Sequence, residues 1–165
     1  GQYGYEILAR NTVEQLKYIH AVYDLAEENG DVADSSYEAL EKRWKDSNAE
    51  RSEKVEKGEV IYGLKEYTFQ LYLDYEISTL KEKYCNDTNR EGMKLTEDEI
   101  QEHYQSREWI FGDSDENADL EMARIAVERE LREQKYDDMI TQRETDSQVT
   151  GNMEDVNRLT LKNIQ

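Results

Sequence analysis

Apolar side chains in this sequence recur every three or four residues, and this spacing constrains the fold more than any other feature. It is clear near the start of the chain, at Leu16, Ile19 and Tyr23, and it returns over residues 120–140. Residues three and four apart lie on one face of an α-helix, so each stretch can bury one side against a neighbour. We therefore expect an all-α fold with four to five helices in an elongated bundle, including a long central and a long C-terminal helix.

Capping and stop signals divide the pattern into helices. Gly30 ends a first helix that covers residues 5–28, because glycine adopts the left-handed conformation at a helix C-terminus. Ser35 with Glu38, and Thr96 with Glu99, have the spacing of capping boxes and predict two helix starts. The last long helix is expected to start near residue 120 and end near residue 147.

The middle and the end of the chain are less regular. Lys45–Lys57 carries few apolar residues and several i,i+4 Glu/Lys pairs, which predicts a protruding, solvated helical arm. Gly58 and Gly63 bracket a tight connection, and Leu64–Cys85 is the most apolar stretch and therefore the expected central helix. Residues 150–165 are expected to form a tail or a short strand, since 159–162 alternate in polarity.

Aromatic residues supply much of the expected core. Only 36% of the residues are hydrophobic, and 39 acidic against 21 basic residues give a net charge of −18. Twelve Tyr, two Trp and two Phe, many at helical spacing, can bury the apolar surface that the aliphatic content would not. A length of 165 residues fits a single domain that spans residues 1–165.

Several classes of function are excluded by composition. The net charge of −18 opposes binding to the phosphate backbone, so no nucleic-acid partner is expected. No run approaches the ~20 apolar residues that span a bilayer, and the first residues do not have the pattern of a signal peptide. Cys85 is the single cysteine and cannot form an internal disulfide.

Catalytic and metal-binding patterns are also missing. His20 and His103 are far apart in sequence and belong to no zinc motif. The acidic stretch 113–121 resembles a calcium loop, but Ala118 stands where that loop requires Gly and Arg124 where it requires Glu. Nucleophile elbows and phosphate-binding glycine loops do not occur. We therefore expect no cofactor, no metal and no catalytic residues, that is, a protein that is not an enzyme.

An aromatic group remains as the candidate functional surface. Two interpretations are open: these rings are ordinary core, or part of them is an exposed apolar surface that binds unfolded or extended polypeptide. The candidates are Tyr62, Tyr67, Phe69, Tyr72, Tyr75 and Trp109.

Several segments follow one another in an order that is found in a known family. They are Asp24–Gly30, Asn48–Arg51, Gly58–Gly63, Leu95–Tyr104 and Leu131–Tyr136. In this order they resemble the helical chaperone region of SurA-like and PrsA-like foldases, in which a Thr-acidic-Glu-Glu-(Ile/Val) pattern similar to Leu95–Tyr104 leads to a Tyr. Where PrsA-like members carry a parvulin prolyl-isomerase domain, this chain has only the loop Gly112–Asp119, so the resemblance does not extend to isomerase activity.

The resemblance implies a non-catalytic holdase outside the cytoplasm, either free or anchored as a lipoprotein through a segment beyond this sequence. Its partners would be unfolded or extended polypeptide clients. The alternative is a structural or interaction protein that binds one folded partner and has all aromatics in its core. The identity of the client and the oligomeric state stay open at this point. The ends of the loop Gly112–Asp119 are expected to lie close together.

Overall fold

The computed structural model describes residues 4–113, 115–147 and 153–163, and these form only helices and their connections. The expected all-α fold is confirmed. The expected number of helices was too low, since the described residues contain six. These are α1 (Gly4–Glu28), α2 (Tyr37–Glu56), α3 (Phe69–Asn86), α4 (Glu97–Gln105), α5 (Leu120–Asp146) and α6 (Met153–Asn163).

Helix α6 replaces the expected tail or short strand. The expectation was wrong for residues 153–163 because the alternation at 159–162 is short, whereas Val156, Asn157 and Thr160 share one half-buried helical face. Acidic residues in the first turn and Lys162 in the last turn suit the helix dipole. Helix α6 packs against α1. The rest of the expected tail, residues 150–152 and 164–165, lies outside the described residues.

Two of the predicted helix ends are confirmed and one is displaced by a residue. Gly30, two residues after the end of α1, has a φ of 71°. Thr96 and Glu99 form the expected capping box at the start of α4. The cap of α2 is Ser36 rather than Ser35. The Ser36 side chain accepts a hydrogen bond from the Ala39 backbone N–H at 3.3 Å, with Asp34 accepting from the Ser36 N–H.

Helix α3 begins at Phe69, five residues later than the sequence predicts. Its N-terminal flank is held by side chains of α2, since Trp44 Nε1 donates to the Tyr67 carbonyl at 2.7 Å. The Asn48 side chain bonds both the N–H and the carbonyl of Tyr67, at 2.9 Å each. These bonds occupy the backbone groups of Tyr67, so the chain before Phe69 is not helical.

The chain divides into two compact units. Unit 1 comprises residues 1–77 and 140–165, and unit 2 comprises residues 78–139. Helices α3 and α5 each contribute residues to both units. No helix among the described residues has the length and apolarity needed to cross a bilayer. The expectation of a single domain over 1–165 stays a prediction.

Each unit has buried apolar residues of its own. In unit 2, a core cluster consists of Ile100, Trp109, Ala123 and Val127, and partly buried apolar side chains surround it. In unit 1, the buried residues come from α1, α2, α3, the end of α5 and, with Val32, the connection between α1 and α2. They include Val22, Tyr23, Leu25, Leu40, Leu73 and Ile140.

Candidate functional site

Trp109 belongs to the core of unit 2. Its side chain is 3% exposed, and its indole Nε1 donates to the Tyr104 carbonyl at 3.0 Å. The Arg107 guanidinium lies over the indole, 3.9 Å from the ring centroid. Trp109 therefore cannot offer its ring to a partner at the surface, and for this residue the structure supports the core interpretation.

Tyr72 is also buried, within a polar network of unit 1. Its hydroxyl donates to Glu76 Oε1 at 3.0 Å, and the Tyr23 hydroxyl donates to Glu76 Oε2 at 2.6 Å. Arg43 bonds the same carboxylate through Nε and Nη2. Burial, together with the charge and hydrogen bonding of Glu76, raises the pKa of both phenols above the ordinary value.

Phe69 is half-buried between two aromatic side chains of α2. Its ring centroid lies 5.7 Å from that of Tyr37 and 5.5 Å from that of Trp44, the latter in an edge-on arrangement. Pairs of this geometry stabilise the contact beyond simple burial. Phe69 thus anchors the start of α3 on α2, while the Tyr37 ring stays largely exposed.

Tyr67 and Tyr75 form a stacked pair that reaches the surface. Their centroids are 5.7 Å apart with an interplanar angle of 15°. The Arg51 guanidinium lies 4.9 Å from the centroid of Tyr67. Tyr75 is exposed and Tyr67 is half-buried. The ring of Tyr75 is therefore at the surface and is held in position by its stack on Tyr67.

Tyr62 is the most exposed of the six candidates, and it lies in the connection between α2 and α3. We call residues 59–66 the arm loop. Two further apolar side chains of this loop, Val60 and Leu64, are exposed beside Tyr62, and sequence analysis did not single them out. The signal was present, because the three apolar residues occur at alternate positions in a short segment that otherwise contains charged residues, Ile61 and Gly63.

Arg51 of α2 holds the arm loop in place. Its Nη2 donates to the Tyr62 carbonyl at 2.7 Å, and its Nε donates to the Leu64 carbonyl at 2.8 Å. The solvated arm expected over Lys45–Lys57 corresponds to the second half of α2. The arm loop follows this half of the helix and is hydrogen-bonded to it through Arg51. The exposed rings of Tyr62 and Tyr75 and the half-buried ring of Tyr67 all belong to unit 1.

Charged side chains of unit 1 line an open cleft that includes His20, Asp24, Glu28 and Arg143. Arg143 donates to both oxygens of Glu28, at 3.0 and 2.6 Å, and this hydrogen bonding lowers the pKa of that carboxyl. No three potential metal ligands come together in the part of the chain that the structure describes.

Comparison with known proteins yields two similarities. No protein-family model matches the chain. The chain is 32% identical over 136 residues, 82% of its length, to a chaperone for lacto-N-biosidase from Bifidobacterium longum subsp. longum. The matched region is 49% of that protein, so the chain spans about half the length of the relative.

The fold also occurs within a solved structure. The crystal structure of a GH136 lacto-N-biosidase from Eubacterium ramulus matches 90% of this chain with a TM-score of 0.62 and 18% sequence identity. The match covers 31% of that chain. At this level of identity the similarity concerns the fold.

These findings overturn the resemblance to SurA-like and PrsA-like foldases, which was wrong. It rested on helix spacing and capping patterns, and such patterns occur in helical proteins of many families. The curated relative is named as a chaperone, which agrees with the expectation of a non-enzyme. The extracytoplasmic location and the lipid anchor were inferred from the same resemblance and stay predictions.

The loop after Trp109 also needs a new interpretation. The Ala118 N–H donates to the Trp109 carbonyl at 2.8 Å, which brings the two flanks of the loop together as expected. Its identification as the place of a missing isomerase domain depended on the foldase resemblance and is withdrawn with it. The bond between Ala118 and Trp109 joins the two flanks of the loop next to Trp109, which is part of the core cluster of unit 2.

Proposed function

We propose that this chain is a non-catalytic chaperone whose client is an enzyme of the lacto-N-biosidase type. The observation that carries the proposal is the 32% identity, over 82% of this chain, to a protein named as a chaperone for lacto-N-biosidase. The same fold within a lacto-N-biosidase chain is compatible with this pairing.

The exposed rings of unit 1 would provide the contact with the client. Tyr62 and Tyr75 are exposed, and Tyr75 is held by its stack on Tyr67. Aromatic side chains suit non-native polypeptide because they bury large areas and tolerate varied partners. The net charge of −18 favours solubility of the chain and of its complexes. Binding through these rings would shield apolar client segments until the client has folded.

Refolding of a lacto-N-biosidase tests the proposal. Denatured enzyme from Bifidobacterium longum is diluted into buffer with an excess of this chain, with an unrelated acidic helical protein, or with neither. We expect a higher yield of soluble, active enzyme only with this chain. An unchanged yield at every molar ratio would exclude the proposed function.

Two further measurements define the role. Added to enzyme that is already native, a non-catalytic chaperone should leave kcat unchanged. Size-exclusion chromatography after refolding then shows whether this chain is released from the folded enzyme or stays bound to it. A stable complex of equal stoichiometry would favour the alternative, an interaction protein that binds one folded partner.

A further inference from the structure

The arm loop presents a dense group of apolar side chains to solvent. Val60 is 79% exposed, Tyr62 88% and Leu64 51%. Single exposed apolar residues are normal at a protein surface, but grouped ones mark interaction sites. Val55, at the end of α2, adds a further exposed apolar side chain. The loop and the helix end thus carry four exposed apolar side chains within ten residues.

The loop has a defined conformation, although few of its side chains are buried. Arg51 bonds the carbonyls of Tyr62 and Leu64, and its guanidinium lies against the ring of Tyr67. Gly58 and Gly63 adopt φ values of 72° and 80°, which side chains other than glycine rarely reach. A loop held in this way has already lost much of its conformational entropy, so less is lost when it binds.

The charge around the loop indicates what kind of surface it fits. Residues 50–66 contain five acidic and four basic residues, whereas the whole chain has 39 and 21. Lys54 and Lys57 are paired with Glu50 and Glu53 at 2.6 and 2.5 Å. This part of an acidic protein is therefore close to neutral, which favours an apolar, uncharged partner surface over a basic one.

We propose that Val60, Tyr62 and Leu64 insert together into an apolar recess of the client enzyme, with Arg51 as the residue that positions them. This inference rests on the proposed chaperone function and names the contact through which it acts. The occupant is the client, because the grouped side chains are exposed on a near-neutral surface and the relative is named for a client enzyme. The contact requires no new charge pair, so its strength should depend little on salt.

The test measures how strongly the full chain binds refolding lacto-N-biosidase from Bifidobacterium longum, as the concentration of each variant that gives half of the maximal yield of active enzyme. The double variant Val60→Ser, Tyr62→Ser should bind about tenfold more weakly or worse, since each side chain loses its apolar burial. The matched control is Met122→Ser, Ile125→Ser, which removes two strongly exposed apolar side chains of α5 in unit 2. Its affinity should equal that of the unchanged chain.

Arg51→Lys tests the positioning role separately, because lysine keeps the charge but cannot bond both carbonyls in the same way. We expect faster hydrogen exchange over residues 59–66, weaker binding and a nearly unchanged Tm. The difference in affinity between the unchanged chain and the double variant should persist at high salt.

The outcomes separate this inference from the proposed function. If the unchanged chain does not assist the enzyme at all, the proposed function fails. If it assists and the loop variant assists equally well, the function stands and the inference is overturned. Equal losses in the loop variant and the control variant would also overturn it, because they would indicate unspecific hydrophobic contact.

Discussion

Arg43 of α2 and Glu76 of α3 form a two-point ion pair, with Nε to Oε1 at 2.8 Å and Nη2 to Oε2 at 3.2 Å. Their side chains are only 26% and 12% exposed. The same carboxylate accepts the hydroxyls of Tyr23 and Tyr72. One carboxylate of α3 thus satisfies three polar side chains, from α1, α2 and α3 itself.

Replacing Glu76 by Ala should destabilise unit 1 strongly. Its loss leaves the partly buried guanidinium of Arg43 and the hydroxyls of Tyr23 and Tyr72 without their shared acceptor, at a cost of about 3 kcal/mol. Urea denaturation measures the loss. Asp46→Ala is the control, because its pair with Lys42 is well exposed and such pairs contribute at most about 1 kcal/mol. Similar losses in both variants would contradict the role assigned to Glu76.

Tyr23 and Tyr72 should resist ionisation at alkaline pH. Their pKa values are raised above 10.0, chiefly by burial and then by Glu76. Since the folded pKa exceeds the unfolded one, the stabilisation is complete below pH 10.0 and is lost as the pH rises further. Phenolate absorbance should show that at least two of the twelve tyrosines, Tyr23 and Tyr72 among them, titrate only as the chain unfolds. Tyr23→Phe should remove one of these two; a native chain in which all tyrosines titrate together would refute the prediction.

Acid should weaken unit 2 through Glu99. Its pKa is lowered from 4.5 to about 2, first by the hydrogen bond from Lys135 and then by those from Thr96. Because the folded pKa is the lower one, the stabilisation is present above pH 4.5 and is lost as the pH falls towards 2. Glu99→Gln should flatten the decline of the free energy of unfolding in this range. Lys135→Met should also reduce the dependence of the free energy of unfolding on pH. If neither variant changes this dependence, the acid sensitivity does not come from Glu99 and its bond to Lys135.

Cys85 should react slowly with alkylating reagents in the native protein. Burial raises the pKa of its thiol to about 11, and the thiolate is the nucleophilic form. The rate of modification by iodoacetamide near neutral pH should therefore be far below that of the chain unfolded in urea. Equal rates in the two states would show that the thiol is accessible in the native protein and that its pKa is not raised.

Local signals predicted most of the helical structure. The capping box of Thr96 and Glu99 was correct because both partners lie within four residues and depend on little else. The start of α3 was missed because Trp44 and Asn48, about twenty positions earlier, determine it through their bonds to Tyr67. Periodicity within one segment contains no information about such contacts.

The candidate surface was predicted only in part. Tyr62 and Tyr72 belong to the same set in the sequence, yet one is exposed and the other bonds Glu76 inside unit 1. Residue type alone does not separate them, because tyrosine suits both a core and a surface. The role of Arg51 was not predictable either, since it depends on carbonyls eleven and thirteen residues further along the chain.

The division of the chain also has a consequence for the order of folding. Unit 2 is one uninterrupted stretch, residues 78–139, whereas unit 1 needs residues from both sides of it. Within unit 1, the contact between α1 and α6 joins residues more than 120 positions apart in the sequence. Closing a longer loop costs more conformational entropy, so unit 2 should form first when the unfolded chain refolds, and unit 1 should follow. The arm loop belongs to unit 1, so competence to bind a client would arise in the later of the two steps.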